Sequence, residues 1–370
     1  MPSVAVFFGG ASNESEVSVI TGMLAVNLLR GSKYTVVPVY LPPSGGMATG
    51  NFKGVEDFAK PELRATPVRL EGKRLVRTGM HAKTVAEIDV ALNCCHGGMG
   101  EDGTLAALLA WNSVPSASPD APACGVFMDK SLSKLAAAGL GIPVAPSFTV
   151  REQAWRAGET DAESLAQSLG YPVVVKPAKL GSSIGVRVAR GSAALRSALS
   201  FAFGLDDSAV VERYFERKRD INCAAYRRRG KVLLSPCEEV FSGGDVLSFS
   251  EKYEQGKGSK LPADLPQSLA ERIRGYTKTL YEAFGMQGVV RADFLVSGDD
   301  AYFNELNMVP GSLAGYLFGS SLAEVKAFYL SLIDEALSRP VVRKRIIHTG
   351  ILEGPLFSGS KSCKRRGNFV

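Results

Sequence analysis

Apolar and polar residues alternate along this chain in short blocks, and the period of each block sorts it into strand or helix. Residues 4–8 are continuously apolar and run into Gly9-Gly10, the pattern of a buried strand closed by a turn. Residues 15–30 repeat apolar positions at helical spacing, with Val17, Ile20, Leu24 and Leu28 predicted as the buried face. Ser12 is the predicted N-cap, and Glu14 and Glu16 stand at the positive end of the helix dipole. Residues 34–41 and 88–95 read as further strands, and residues 104–111 as an apolar helix. Strand, helix and strand in that order predict an open parallel α/β sheet, whose ligands sit beyond the strand carboxyl ends. Residues 42–83 show no usable period.

After residue 115 the pattern changes. A run rich in Pro, Ser and Ala over residues 115–124 reads as a domain junction, and residues 129–138 as a short helix carrying Lys130. An apolar strand with one inward charge, Lys176, leads through a Gly/Ser loop into another strand. Residues 209–215 read as a strand end, and residues 220–234 as strands around Arg229-Gly230. Residues 242–262 form a long Gly/Ser/Lys loop holding Lys252 and Tyr253, and loops of that length are lids or linkers. A helix over 266–284, a hairpin turning at Ser297-Gly298-Asp299-Asp300 and a closing helix over 323–338 complete an α+β C-terminal part.

That hairpin carries the densest chemistry. With its turn centred on Asp299, Asp293 lies opposite Glu305 and Arg291 opposite Asn307, all four on one face. Two carboxylates and an amide oxygen are hard ligands of the kind that hold Mg²⁺ against phosphates. Arg291 adds a fixed positive charge for a phosphoryl or oxyanion group. A solvated hairpin uses the same residue types. Here, however, Val289, Val290, Phe294, Val296 and Leu306 mark buried strands, and Pro310-Gly311 gives a tight backbone approach.

Composition narrows the class. A chain of 370 residues predicts two or three domains, and 45% hydrophobic with 22% charged residues is the balance of an ordinary globular protein. No apolar run reaches membrane-spanning length and no signal-peptide pattern opens the chain, so a cytoplasmic protein without membrane partners is expected. The cysteines at 94, 95, 124, 223, 237 and 363 form no Cys-x-x-Cys pair and read as inert thiols of a reducing compartment. Net charge is +6, but much of the excess lies in Arg343-Lys344-Arg345 and residues 361–366 without interleaved aromatics. That is the composition of a solvated basic tail over residues 346–370, and nucleic acid is not an expected partner.

Two loops add to the hairpin. His96 ends a strand and opens a Gly-rich run, a place for a carboxylate or phosphate. The Gly/Ser loop after Lys176 can form an anion-binding nest of backbone N–H groups. It is not a P-loop, lacking Gly-Lys-Ser/Thr and a following helix, and Gly9-Gly10 lacks the remainder of a dinucleotide fingerprint.

The strings Gly9-Gly-Ala-Ser-Asn-Glu-Ser-Glu-Val-Ser, His96-Gly-x-x-Gly-Glu-Asp-Gly, Val175-Lys-Pro, Gly181-Ser-Ser-Ile-Gly-Val, Glu251-Lys-Tyr, Arg291-x-Asp-Phe and Glu305-x-Asn-x-x-Pro-Gly occur in that order. Together, over roughly residues 3–340, they resemble the D-alanine–D-alanine ligase family of the ATP-grasp superfamily. The resemblance implies an ATP-grasp fold: an N-terminal substrate domain (1–118), then central (119–211) and C-terminal (212–345) domains with ATP between them. It implies Lys130 and Lys176 on the phosphates under the loop of Gly181, Ser182 and Ser183. Backbone groups of Arg213, Tyr214 and Phe215 would surround adenine, with Glu212 on its amino group, Asp220 at the ribose, and Phe294 and Asn304 nearby. Asp293, Glu305 and Asn307 would bind two Mg²⁺ (or Mn²⁺) ions.

For the first D-amino acid, the resemblance implies Glu14 at the ammonium and His96 and Ser182 at the carboxylate end. Ser182 and Tyr253 would link to Glu14 and lock the lid. Arg291 and the Gly311 N–H would serve the oxyanion, with Lys252, Ser312 and Tyr316 at the second substrate. The implied reaction joins two D-alanines through a D-alanyl phosphate for peptidoglycan precursors, in a cytoplasmic homodimer. Departures from the family pattern are Asp220 for Glu, Arg213 for Lys, and Ser312-Leu-Ala-Gly-Tyr-Leu, where Tyr316 falls at or near a Ser that binds the second substrate's carboxylate. D-serine therefore stays open as acceptor, whereas Tyr253 matches dipeptide-forming members rather than those making the D-lactate ester. A nucleotide-binding sensor is the alternative of another class, and the retained Glu14, Lys130, Lys176, Asp293 and Glu305 speak against it.

Overall fold

In a computed structural model describing residues 1–60, 63–80, 82–241, 258–339 and 347–350, the apolar start of the chain forms β1 (Ser3–Gly9). β1 pairs in parallel with β2 (Thr35–Leu41) and β7 (Val90–Asn93). The parallel core is only these three strands wide. The stretch without a period supplies β3 (Met47–Thr49), β4 (Thr66–Glu71) and β5 (Arg74–Arg77), which with β6 (Thr84–Glu87) extend the sheet antiparallel beyond β2. The expected open sheet is therefore mixed.

α1 (Ser15–Leu29) follows β1, and its buried face is only partly the predicted one: Leu28 is buried as expected. Val19, Met23 and Val26 are buried, whereas Ile20 is 55% exposed and Val17 and Leu24 are half-buried. The cause is Gly22, where a Cβ would lie 2.3 Å from Phe8 Cβ, so the helix rests on β1 along its glycine side. Gly22→Ala is expected to destabilise by about 1–3 kcal/mol through overpacking, read as a lowered Tm; an unchanged Tm would mean the contact can relax. Nor is Ser12 the N-cap. Glu14 holds that position without a side-chain cap bond, while Ser12 Oγ accepts from the Glu14 N–H (3.2 Å) and donates to the His96 carbonyl (2.7 Å). α2 (Thr104–Trp111) covers the other face of the sheet through Leu105 and Leu109.

The predicted junction already contains the start of α3 (Ala121–Met128), capped by Asp120, and α4 (Lys130–Gly139) follows, capped by Asp129. A second, antiparallel sheet has the order β10 (Arg187–Ala189), β9 (Val173–Pro177), β11 (Ser208–Arg213), β8 (Ser147–Arg151). α5 (Glu152–Arg156) follows β8, and α6 (Ala162–Leu169) and α7 (Ser192–Ala202) pack Ala166, Leu195 and Leu199 on its apolar face.

The third sheet decides the site. Its order is β15 (Ser259–Lys260), β14 (Glu238–Val240), β12 (Arg219–Arg228), β16 (Val289–Ser297), β17 (Asp300–Asn307), with β13 (Lys231–Leu234) folding back on β12. One face buries Val290, Phe294, Val296 and Phe303 against α8 (Gln267–Ala283) and against α3 and α4, where Phe127 meets Phe284 edge-on at 4.8 Å. The opposite face is polar around Asp220, Asn222, Arg291 and Asp293, and apolar at Ala224, Tyr226 and Val289. α9 (Leu322–Ser338) is the last helix among the described residues, packing Phe328, Leu332 and Ile333 into a core shared with α1 and β12.

The hairpin turns at Ser297–Asp300 as predicted and the pairs Arg291–Asn307 and Asp293–Glu305 form, but the turn is centred between Gly298 and Asp299 rather than on Asp299. Ser297 pairs with Asp300 across a two-residue turn, and Phe294 with Phe303, so Asn304 is an extra residue in β17 that restores the offset. Met1–Leu337 packs as one unit; beyond it, residues 347–350 form no regular element. Among the described residues, no helix is long and apolar enough to cross a membrane.

Candidate active site

A cavity of about 520 Å³ is lined by the polar face of the third sheet, by β9 and β11 with the loop before β10, and by the loops after β1 and β7. Its floor is a row of directly paired residues: Glu238 on β14, Asn222 on β12, Asp293 on β16 and Glu305 on β17. Directly paired residues project from the same face of a sheet, so this row stands side by side. The Arg291 guanidinium grips Asp293 through Nε (2.8 Å) and Nη2 (2.9 Å), and Asn307 Nδ2 donates to the same carboxylate (3.0 Å). Burial works against the charge on Arg291, but Asp293 more than offsets it and raises the guanidinium pKa further. Glu305 Oε2 lies 3.8 Å from Lys130 Nζ. The two acids face one cavity, each answered by a cation.

The bulge aims two consecutive side chains inward, Asn304 and Glu305. Asn304 Oδ1 accepts from Lys176 Nζ at 2.9 Å, and Lys130 Nζ donates to the Leu180 carbonyl. Glu212, 1% exposed, sits between Lys176 and Lys134, the latter at 2.8 Å. Burial pushes its carboxyl up, yet the two ammonium groups outweigh that and hold it at about 2. Arg213 and Tyr214 use their N–H groups on the Pro146 and Pro172 carbonyls and are not donors for a base. Val174, Val186, Phe215, Phe294 and Leu295 give this end an apolar lining, with Phe215 stacked on Tyr302 at 4.9 Å. Asp220 also lines the cavity, where Lys218 Nζ reaches both its oxygens (2.8 and 2.7 Å).

At the opposite wall, the Ser182 hydroxyl donates to the Glu14 carboxylate. Ser182 and Ser183 take left-handed φ values of 50° and 57°, and Gly181 approaches so closely that a Cβ there would lie 2.7 Å from Glu14 Oε2. His96 Nε2 meets Thr21 Oγ1 (2.8 Å), which accepts from the Ser312 N–H (3.2 Å). Ser312, Leu313 and Ala314 are consecutive left-handed residues (φ 49°, 49°, 52°), a turn costing roughly 1–2 kcal/mol per residue. Tyr329 Oη clamps it by donating to the Ser312 carbonyl at 2.7 Å. This turn presents Gly311, Ser312 and Tyr316 to the cavity. Tyr316 Oη donates to Glu238 Oε2 at 2.9 Å; burial raises the phenol pKa despite nearby Arg291, which keeps it a neutral donor. Lys252 and Tyr253 lie outside the described residues.

Profiles described as D-ala D-ala ligase N-terminus and D-ala D-ala ligase C-terminus match residues 3–119 and 136–338. The chain belongs to the D-alanine–D-alanine ligase family. The D-alanine–D-alanine ligase of Kineococcus radiotolerans is 34% identical over 372 aligned positions, covering 92% of this chain and 97% of the relative. That of Thermosipho africanus is 31% identical over 360 positions, covering 91% and 94%. The crystal structure of the Helicobacter pylori D-alanine–D-alanine ligase matches with a TM-score of 0.75 at 28% identity, covering 90% of this chain and 98% of that one. The chain is thus a ligase with the family's ATP-grasp fold, and membership implies use of ATP.

Family strings do not point to every residue of the cavity. Asn222, Glu238 and Lys218 line it outside those strings, and Lys134 stands behind Glu212. Asn222 left a signal, since it shares a strand face with Asp220 in an otherwise apolar run, and Lys134 lies one turn beyond Lys130. Among the described residues, no group of three or more His, Cys, Asp or Glu side chains is placed to hold a metal ion. The oxygen donors at hand are Asp293, Glu305 and the Asn307 amide. Both carboxylates are met by cationic side chains, and that demand for positive charge, with an all-oxygen donor set, fits Mg²⁺.

Proposed function

We propose that this protein joins two D-alanines into D-alanyl-D-alanine with ATP, through a D-alanyl phosphate, for peptidoglycan precursors. One observation carries the reading: Asp293 and Glu305 pair in register beneath Lys130 and Lys176, in the same cavity that Glu14 and Ser182 close. The apolar lining at Phe215 and Leu295 suits a base, and the two lysines suit its phosphates. Asp293, Glu305 and Asn307 would hold Mg²⁺ there, and such ions supply charge neutralisation on a triphosphate.

Glu14 receives the ammonium of the first D-alanine, and the Ser182 loop closes above it. The carboxylate of that first D-alanine attacks the γ-phosphorus and ADP leaves, so a poor electrophile becomes an acyl phosphate. The free amine of the second D-alanine attacks the acyl carbon. The carbon–oxygen bond to phosphate breaks with its electron pair going to phosphate, and the departing phosphate takes the proton lost by the nitrogen. The Gly311 N–H and Arg291 are the donors for the tetrahedral oxyanion, and loss of one such donor costs on the order of 3 kcal/mol of transition-state stabilisation. Excluding water protects the acyl phosphate from hydrolysis.

Ser182→Ala removes the bond to Glu14 and is expected to lower kcat/KM for D-alanine by roughly tenfold to a hundredfold through misplacement. An unaltered value would make the contact incidental. The reading itself is tested by ADP release with and without D-alanine, with products identified by mass spectrometry in a mixture of D-amino acids. D-alanine-dependent ADP release with D-alanyl-D-alanine as product is expected. ADP release indifferent to every D-amino acid would overturn it.

A further inference from the structure

Three charged side chains meet at the phosphate end of the cavity, each from a different element: Lys134 on α4, Lys176 on β9 and Glu212 on β11. All three are buried. Glu212 divides its carboxylate between the two lysines, with Lys176 Nζ on Oε1 and Lys134 Nζ 2.8 Å from Oε2. The lysines differ in what else they can reach. Lys176 lines the cavity and has a second, neutral partner in Asn304 Oδ1 at 2.9 Å. Lys134 stands outside the lining, and Glu212 is its one ion-pair partner among the described residues.

A carboxylate as enclosed as that of Glu212 keeps its charge only with a counter-charge beside it. One lysine would suffice, yet two are present. They sit on different oxygens, so the Lys176 contact can open while the Lys134 contact stays. We infer that Lys134 is a positioning residue for nucleotide binding: it remains with Glu212 as the permanent counter-charge and so frees Lys176 to turn from Glu212 to a phosphate. The inference rests on the reading that sets Lys176 against the ATP phosphates, and it names what that move requires. Without Lys134, Lys176 would be the sole counter-charge of Glu212, and every phosphate contact it made would strand a buried carboxylate. The nucleotide would then compete with Glu212 for one ammonium group. With Lys134 in place, the same move leaves a neutral Lys134–Glu212 pair, and the excess positive charge of the cluster goes to the nucleotide.

ADP and adenosine separate this role from a structural one, because only ADP offers phosphates. Their dissociation constants, measured with Mg²⁺ and without D-alanine, involve no turnover. Wild-type protein is expected to bind ADP the more tightly of the two. Lys134→Gln keeps a hydrogen-bond donor for Glu212 but removes the charge. In that variant ADP affinity is expected to fall roughly tenfold to a hundredfold, with adenosine affinity within about twofold of wild type. Lys134→Arg keeps the charge and should hold the ratio of the two affinities within about threefold of wild type. An unchanged ratio in Lys134→Gln would overturn the inference, as would equal weakening of both ligands, the mark of a structural role. If Lys134→Gln does not fold, Lys134→Arg decides: a ratio lowered about tenfold despite the retained charge overturns the inference, and a wild-type ratio upholds it. Wild-type protein that binds ADP no more tightly than adenosine would overturn the placing of Lys176 on the phosphates, and this inference with it.

Discussion

Glu305→Ala is expected to lower D-alanine-dependent ADP release by about 10³-fold or more while leaving the fold in place. The side chain projects from β17 into the cavity rather than into the core, so its removal opens no hydrophobic void. Lys130 loses a carboxylate 3.8 Å away but keeps its bond to the Leu180 carbonyl at the cavity wall, and Asp293 keeps Arg291. What disappears is one of two carboxylates placed to gather positive charge against a triphosphate. Turnover and Tm measured on the same preparation decide the matter: wild-type turnover in the variant refutes the role given to Glu305.

Glu212→Gln is expected to act on stability instead, by about 3–5 kcal/mol, because it leaves Lys134 and Lys176 buried beside a neutral amide. Burial alone would push the Glu212 carboxyl up, but the two lysines bring it from 4.5 to about 2. A depressed folded-state pKa means that the stabilisation is fully present above about pH 4.5 and is lost as pH falls through about 2. The gap between wild type and variant should therefore be wide at pH 7 and shrink in acid. Urea unfolding at both ends of that range checks the sign. Equal stability at pH 7 would show that the lysines find other partners or shed their protons. Because Lys176 also reaches Asn304, lost ATP affinity should accompany the lost stability.

Local periodicity was enough for β1, for the helices over residues 104–111 and 266–284, and for the hairpin over residues 289–307. These are long or strongly patterned, and their partners are neighbours in the chain. The antiparallel half of the first sheet was illegible because β3 and β5 are three and four residues long, too short for a period. The buried face of α1 was partly misjudged because the deciding residue, Gly22, has no hydrophobicity to read; its contribution is the space it leaves for Phe8.

The site divides along the same line. Asp293 and Glu305 were legible because one hairpin carries both, although the Asn304 bulge that aligns them was not. Glu238 and Asn222 join the floor only through the order β14-β12-β16, a property of tertiary pairing that no single stretch encodes. Lys134 was missed because its partner, Glu212, lies on β11 of another sheet. Residues placed by short-range pairing could be anticipated, while those placed by strand order waited for the fold.

The central claim is that a D-alanine carboxylate takes the γ-phosphoryl group of ATP in this cavity. D-alanine labelled with ¹⁸O in its carboxylate, incubated with ATP and Mg²⁺, tests it directly by mass analysis of the released phosphate. The expected result is one ¹⁸O atom in phosphate for each peptide bond made. Dipeptide formed with no ¹⁸O in phosphate would contradict it.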